Sequence, residues 1–479
     1  MNPGPKTNGP LQAISLLAIM FTAIACALLI IFGYVSVIQL VVGLVALVGV
    51  AVFLVFPEMA LAALLTVGTL KAIPQIADSP IDLTVALAVL LIIGTALKGG
   101  SDLLNVTYPT AYLLYLPFVA IMLLSLTYTP NFPAGIDKAG RFLVFSGIAI
   151  AAPFAVLRTK ASLRRFFITL IALGLVVALD SFAGLGGKER LVSAGGDTIQ
   201  LGHDSALAIV IVWYLLLPGR SLLSRAFFYG LILVFCVGVV GAGSRGPAAG
   251  LACCIALSFV VHKELGIKLK SLLYDFGLLT LAVLMVIPIV GIPQSSYDYL
   301  SRLGDPNLHR MLGPREALMA EGWRLTMSHP FRGVGIGGYP VLFRGIGAWP
   351  HNMFLEISAE MGVVATFLFA VLLWLGFREA LRQLRSPDPT FSQLAATVFA
   401  FFTMEFIDMM NTGSLNDNRA LWLAIALPFV LNNLRGDQRH YSYSTNSLVT
   451  DSAESSTRAL RFHHWQPGSY SLSDSQNIQ

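Results

Sequence analysis

The chain has 479 residues, of which 56% are hydrophobic and only 12% charged, with a mean hydropathy of +0.74. Soluble domains carry about 25% charged residues, so the composition excludes a soluble globular protein and leaves one integral membrane domain. The formal net charge of +5 implies no nucleic-acid partner, because in such a chain the placement of Lys and Arg around the apolar segments matters more than their sum.

A bilayer core is about 30 Å thick, so a spanning helix needs about 20 apolar residues. On that measure spans fall near 13–32, 36–55, 58–71, 81–97, 111–127, 141–157, 166–182, 204–217, 226–243, 247–262, 272–291, 352–377, 391–411 and 420–434. The predicted architecture is therefore all-α, with about 12–14 transmembrane helices. Lys6 precedes the first apolar run with no small-residue cleavage site in polar surroundings, the pattern of a retained anchor. Cys26, Cys236, Cys253 and Cys254 all lie in apolar segments without metal-site spacing, so no disulfide is expected. Residues 1–435 form the predicted membrane domain. From 436 to 479 the chain is rich in Ser, Thr, Asn and Gln, and is expected to be a disordered cytoplasmic tail.

Short loops with Arg158, Lys160, Arg164 and Arg165, with Arg220 and Arg225, with Lys263, Lys268 and Lys270, and with Arg378, Arg382 and Arg385 are separated by even numbers of spans. They share one side, which the positive-inside rule makes cytoplasmic. Lys71 is the main exception. By alternation the loops at 183–203, 243–246, 292–350 and 412–419 share the other side.

The loop at 292–350 is too long and too basic to be only a connector. It carries Arg302, Arg310, Arg315, Arg324, Arg332 and Arg344 together with His309 and His329, and it ends at His351. Pro314 and Pro330 bracket a predicted helix of about four turns, with Leu318, Met319, Gly322, Trp323 and Thr326 on its apolar face. Arg315 in its first turn opposes the helix dipole, a cost that a bound anion offsets. Gly333-Val334-Gly335-Ile336-Gly337-Gly338 lacks the Lys-Ser/Thr of a phosphate loop and is expected to be flexible packing.

Gly241-Ala242-Gly243-Ser244-Arg245-Gly246-Pro247 is a tight turn between two spans. Its small residues let a ligand approach the backbone, and a guanidinium binds phosphate oxygens in a bidentate manner. The competing reading is a snorkelling Arg at a helix end. His351 stands one residue outside a span, with an ordinary pKa near 6.5 that suits it to take a proton from a hydroxyl. Asn352, Glu356 and Glu360 follow at spacings of four, on one helical stripe facing the bundle interior. Glu405, Asp408, Asn411 and Asn416–Arg419 lack metal-ligand spacing, so neither a metal nor another cofactor is expected.

Several of these pieces together resemble the O-antigen ligase/polymerase family of bacterial membrane glycan transferases. They are Gly243-Ser244-Arg245-Gly246, Arg315 opening Arg-x-x-x-Met, His329-Pro330-Phe331-Arg332-Gly333-Val334-Gly335-Ile336-Gly337, and His351-Asn352-Met353-Phe354-Leu355-Glu356 continuing to Gly362. The resemblance covers about 232–377. It departs at Met319, where an aromatic is usual, and at Arg332, where an apolar residue is common.

The resemblance implies transfer of a glycan from an undecaprenyl diphosphate carrier to an acceptor hydroxyl at the periplasmic face of the bacterial inner membrane. Polymerase and ligase both remain open, for O-antigen or exopolysaccharide, with a carrier-linked glycan or lipid A–core as acceptor. Carried over, Arg245 and Arg315 bind the diphosphate without a metal and His351 activates or positions the acceptor, with Ser244, Arg332, Asn352 and Glu356 as substrate-binding candidates. The alternative is a flippase or transporter of lipid-linked saccharides. It predicts charges spread through several spans and a two-fold repeat, whereas here the polar chemistry gathers at one face in the second half of the chain.

Overall fold

The computed structural model describes residues 47–71, 82–99, 106–184, 191–192, 197–290, 314–343, 349–386, 388–411, 413–416 and 418–435. The predicted span at 13–32, the first part of 36–55, most of the basic loop before Pro314 and the tail lie outside the described residues. Among those described there is helix and no strand, so the protein is an all-α polytopic membrane protein. A chain in hydrocarbon must satisfy every backbone polar group internally, and helices do so within one segment.

In chain order the helices are α1 (Leu47–Val55), α2 (Pro57–Leu65), α3 (Leu83–Gly99), α4 (Tyr115–Ser125), α5 (Phe132–Val156), α6 (Lys160–Ser181), α7 (Thr198–Leu216) and α8 (Leu222–Ala242). There follow α9 (Arg245–Val261), α10 (Leu269–Val290), α11 (Pro314–Ser328), α12 (Tyr339–Phe343), α13 (Met353–Leu384), α14 (Pro389–Asn411) and α15 over 419–435. Seven of the described helices are long and apolar enough to cross a membrane, and an eighth crossing arises if α1 and α2 are one span. α3, the stretch Thr110–Ser125 that contains α4, and α9 are shorter apolar helices.

The spans expected from hydropathy reappear with shifted ends. α1 and α2 are bent by 112° at Phe56-Pro57, because Pro57 cannot donate to the preceding turn. α5 begins at Phe132 rather than near 141, since the Asn131 side chain accepts from the Ala134 N–H and starts the helix earlier. α7 likewise starts at Thr198, capped by Asp197 through the Ile199 N–H at 3.0 Å. Each early start draws polar residues, Lys138 in α5 and His203 in α7, into a helix that enters the bundle.

α7 is the centre of the bundle, with 83% of its apolar window buried against 22% for α10. It packs on α6, α8, α9 and α14. A second core is aromatic: Phe118, Phe142, Phe369 and Trp422 are fully buried around one another, with ring centroids 5.1–6.4 Å apart.

Basic residues of the short loops are paired at helix ends: Glu58 receives Arg165 at 2.7 Å and Lys98 at 3.0 Å, Lys160 meets Asp388 at 2.5 Å, and Arg225 pairs with Asp275. Asp197, His351 and Ser414 line one cavity. Lys71, the exception to the charge rule, is paired with Asp82 at 2.6 Å, and that pairing holds the Asp82 carboxyl down at about 2.

Candidate functional site

The site is built around a break in α13. Its helix is interrupted at Gly362, whose φ of 82° and ψ of 177° no helix accommodates. The half-helix 353–361 therefore stops inside the protein and leaves carbonyls without intrahelical partners. The Gly-rich segment satisfies them: the Val334 N–H donates to the Ala359 carbonyl at 2.8 Å and the Gly335 N–H to the Glu360 carbonyl at 2.9 Å. Across the break the Val363 N–H donates to the Pro330 carbonyl at 2.8 Å.

The flexible packing expected of this segment is not what the structure holds. Gly333, Gly335 and Gly337 all have positive φ, and a Cβ on Gly335 would lie 2.5 Å from the Thr129 Cα. The other side of the segment is fastened to the α4–α5 turn. Thr129 Oγ1 donates to the Ile336 carbonyl at 2.8 Å, and the Ile336 N–H donates to Ser125 Oγ at 3.1 Å. The segment is a rigid plug, and its glycines serve close backbone packing.

Below the plug Lys138 of α5 donates to Glu356 and to Glu360 at 2.6 Å each, with both carboxylates buried. The second oxygen of Glu356 accepts the Leu415 N–H at 2.8 Å. Asn352 caps α13, accepting from the Leu355 N–H at 3.1 Å and donating to the Met410 carbonyl at 3.3 Å. Glu356 and Asn352 thus face the interior, as their spacing predicts, and the structure engages both in holding α13. Lys138 has no local signal in the sequence, being one Lys in an amphipathic turn more than 200 residues away.

His351 sits where this arrangement meets a cavity of about 300 Å³. It is the one non-glycine residue with positive φ, 53°, among the described residues. Such a conformation costs on the order of 1–3 kcal/mol and persists only where the surroundings over-determine it. Here Trp349 packs on the ring at 4.9 Å and Asn352 begins the helix immediately after. Nδ1 of His351 is buried without a hydrogen-bond partner in the protein. Burial, and then the nearby Arg315 guanidinium, push the imidazole pKa below its ordinary value, opposed by Asp197. A neutral ring is the state a proton acceptor needs.

α11 runs from Pro314 to Ser328 as its prolines predict, and places Arg315 in electrostatic range of His351. Leu318, Gly322 and Thr326 are buried, Gly322 against Pro350 and Leu355. Trp323 is exposed, in a strip with Met327 and Phe331 that faces outward. Arg332 is exposed too, and stacks over the Tyr128 ring at 5.6 Å.

Ser244 and Arg245 stand at the mouth of a second space, a groove of about 690 Å³ between α8, α9 and α10. Its walls are apolar, including Val239, Leu251, Ile255, Phe276 and Val283. Gly243 ends α8 in the left-handed conformation, φ 55°, which turns the chain so that Arg245 opens α9. α7 runs beside both spaces. A Cβ on Gly202 would meet Ala242 and Ser244 at 3.3–3.5 Å, while Ile199, Gln200 and His203 line the cavity.

The structure also assembles a grouping hidden from linear spacing. His203 of α7 stands 3.1 Å from Glu405 of α14, and Asp408 is one turn further along α14. One ligand atom from each lies within 4.8 Å of the others. Glu405 and Asp408 have no metal-ligand spacing by themselves, and their third partner is 202 residues away.

A family model described as O-antigen ligase matches residues 229–370. That segment carries the groove, Arg245, Arg315, the glycine plug and His351, but not Lys138, His203 or Glu405. No curated protein matches the chain.

Proposed function

We propose, from the match of residues 229–370 to the O-antigen ligase family model, that the chain transfers a glycan from undecaprenyl diphosphate to an acceptor hydroxyl at the periplasmic face. The observation that carries the reading is the polarity of the groove: apolar along its length, with Ser244 and Arg245 at its mouth. An amphiphile with a polyisoprenyl tail and an anionic head fits such a space, tail against α8–α10 and diphosphate at Arg245.

The acceptor hydroxyl attacks the anomeric carbon of the carrier-linked sugar, and the bond from that carbon to the phosphate oxygen breaks. The hydroxyl proton passes to the imidazole of His351. Undecaprenyl diphosphate leaves with the bonding pair, and its growing negative charge is met by Arg245 and Arg315. Arginine suits this work because it stays charged and pairs with phosphate in a bidentate manner. Such preorganised charge needs no metal at the diphosphate. In this reading Arg332, which stacks on Tyr128, meets the glycan rather than the phosphates.

In this reading Arg315 and His351 supply one half of the site and the Ser244-Arg245 turn the other. The test is product analysis with purified protein, lipid-linked repeats and defined acceptors. Longer carrier-linked chains identify a polymerase and modified lipid A–core a ligase. Saccharide crossing the bilayer with no new glycosidic bond would refute transfer in favour of transport.

A further inference from the structure

We propose that His203, Glu405 and Asp408 bind a divalent cation of the first transition row, Mn²⁺ or Zn²⁺, in the wall of the cavity that His351 also lines. The three residues present one ligand atom each, all within 4.8 Å of one another. Ligands at about 2.0–2.2 Å from a common cation stand roughly 3–4 Å apart, so side-chain adjustments of less than about an ångström close the site. One imidazole and two carboxylates leave coordination positions facing the cavity, where water or saccharide hydroxyls complete the shell. The imidazole favours Mn²⁺ or Zn²⁺ over Mg²⁺, which prefers oxygen ligands alone and keeps its waters.

The surroundings are those of a metal-bound histidine. Such a residue directs its second ring nitrogen to a carboxylate, which fixes tautomer and ring orientation. Nδ1 of His203 lies 3.4 Å from Asp204 Oδ1, leaving Nε2 toward Glu405. Asp204 is held in turn by the Thr69 hydroxyl at 2.6 Å. Charge points the same way. Four carboxylates, Asp197, Asp204, Glu405 and Asp408, are among the described residues lining the cavity, with no Lys or Arg among them. Carboxylates are hard oxygen donors that suit divalent cations, and the remaining coordination positions of the ion would open to the cavity. The alternative is a plain His203–Glu405 ion pair, which holds no metal.

The site lies outside the segment matched by the family model and does not depend on the transfer reaction. It is tested on the full chain in detergent micelles, stripped with EDTA and then dialysed against Mn²⁺. Bound metal is counted by mass spectrometry, and the Mn²⁺ is examined by electron spin-echo spectroscopy. One Mn²⁺ per chain, coupled to one imidazole nitrogen and displaced by Zn²⁺, is expected. Asp408→Asn should weaken binding by at least about 10-fold, and Asp204→Asn, acting through the histidine, by about 10–100-fold. Stoichiometric binding without nitrogen coupling, or a wild-type protein that binds no more Mn²⁺ than Asp408→Asn, overturns the proposal. Both spectroscopic outcomes are read on the wild-type protein, so they stand even if a variant fails to fold.

Discussion

Replacing Lys138 with methionine removes the single cation that lies between Glu356 and Glu360 and leaves two buried carboxylates facing each other. Each is 2.6 Å from the ammonium, and both are almost wholly shielded from solvent, with side-chain exposures of 2% and 1%. Breaking a buried ion pair from one side costs about 3–5 kcal/mol, chiefly because the surviving charge stays desolvated. That lowers the folded-to-unfolded ratio by roughly 10²–10³ or more, at 1.4 kcal/mol per factor of ten. The Leu415 N–H still supports Glu356, which keeps the expected loss near the lower figure. The assay is thermal unfolding in detergent of Lys138→Met beside the triple variant Lys138→Met/Glu356→Gln/Glu360→Gln. The single variant should melt several degrees below wild type, and the triple variant should recover most of the loss, since it buries no net charge. A single variant that melts with the wild type, or a triple variant no better than the single, refutes the reasoning.

Arg245→Ala and Arg315→Ala should each lower turnover by about 10²–10³ while the protein remains folded, the usual cost of losing one charge-stabilising donor; wild-type turnover in both would refute the diphosphate clamp. His351 has its pKa depressed below 6.5 by burial and by Arg315, so its neutral form prevails at neutral pH and the acid limb of the pH–rate profile should lie below pH 6.5. The same depression means the unfolded chain binds the proton more readily, so this residue's contribution to stability is present above pH 6.5 and is lost as pH falls through the folded value; pH-dependent unfolding of His351→Gln against wild type reads it. Ala252→Phe puts a ring into the groove and should raise KM for the lipid-linked donor with kcat little changed, measured by steady-state kinetics. Gly335→Ala places a Cβ 2.5 Å from the Thr129 Cα at a φ of 92°, so the plug should be displaced and thermal stability lost, whereas Gly230→Ala, with open space around it, should melt as wild type does.

Composition and hydropathy by themselves determined the fold class and the approximate spans of the described part. These follow from a local rule, an apolar length set by the bilayer. The same locality made α11 legible, because Pro314 and Pro330 mark its ends within the segment. Arg245, Arg315 and His351 stood out as polar residues at helix ends, and their motifs matched a family pattern. Only the tertiary structure decided what holds them. The glycine segment became a rigid plug because the break at Gly362 exposed carbonyls that Val334 and Gly335 reach. Lys138 neutralises Glu356 and Glu360, and His203 meets Glu405, because helices far apart in the chain pack side by side. Burial and charge pairing act through space, and the distance between two residues in sequence does not record them.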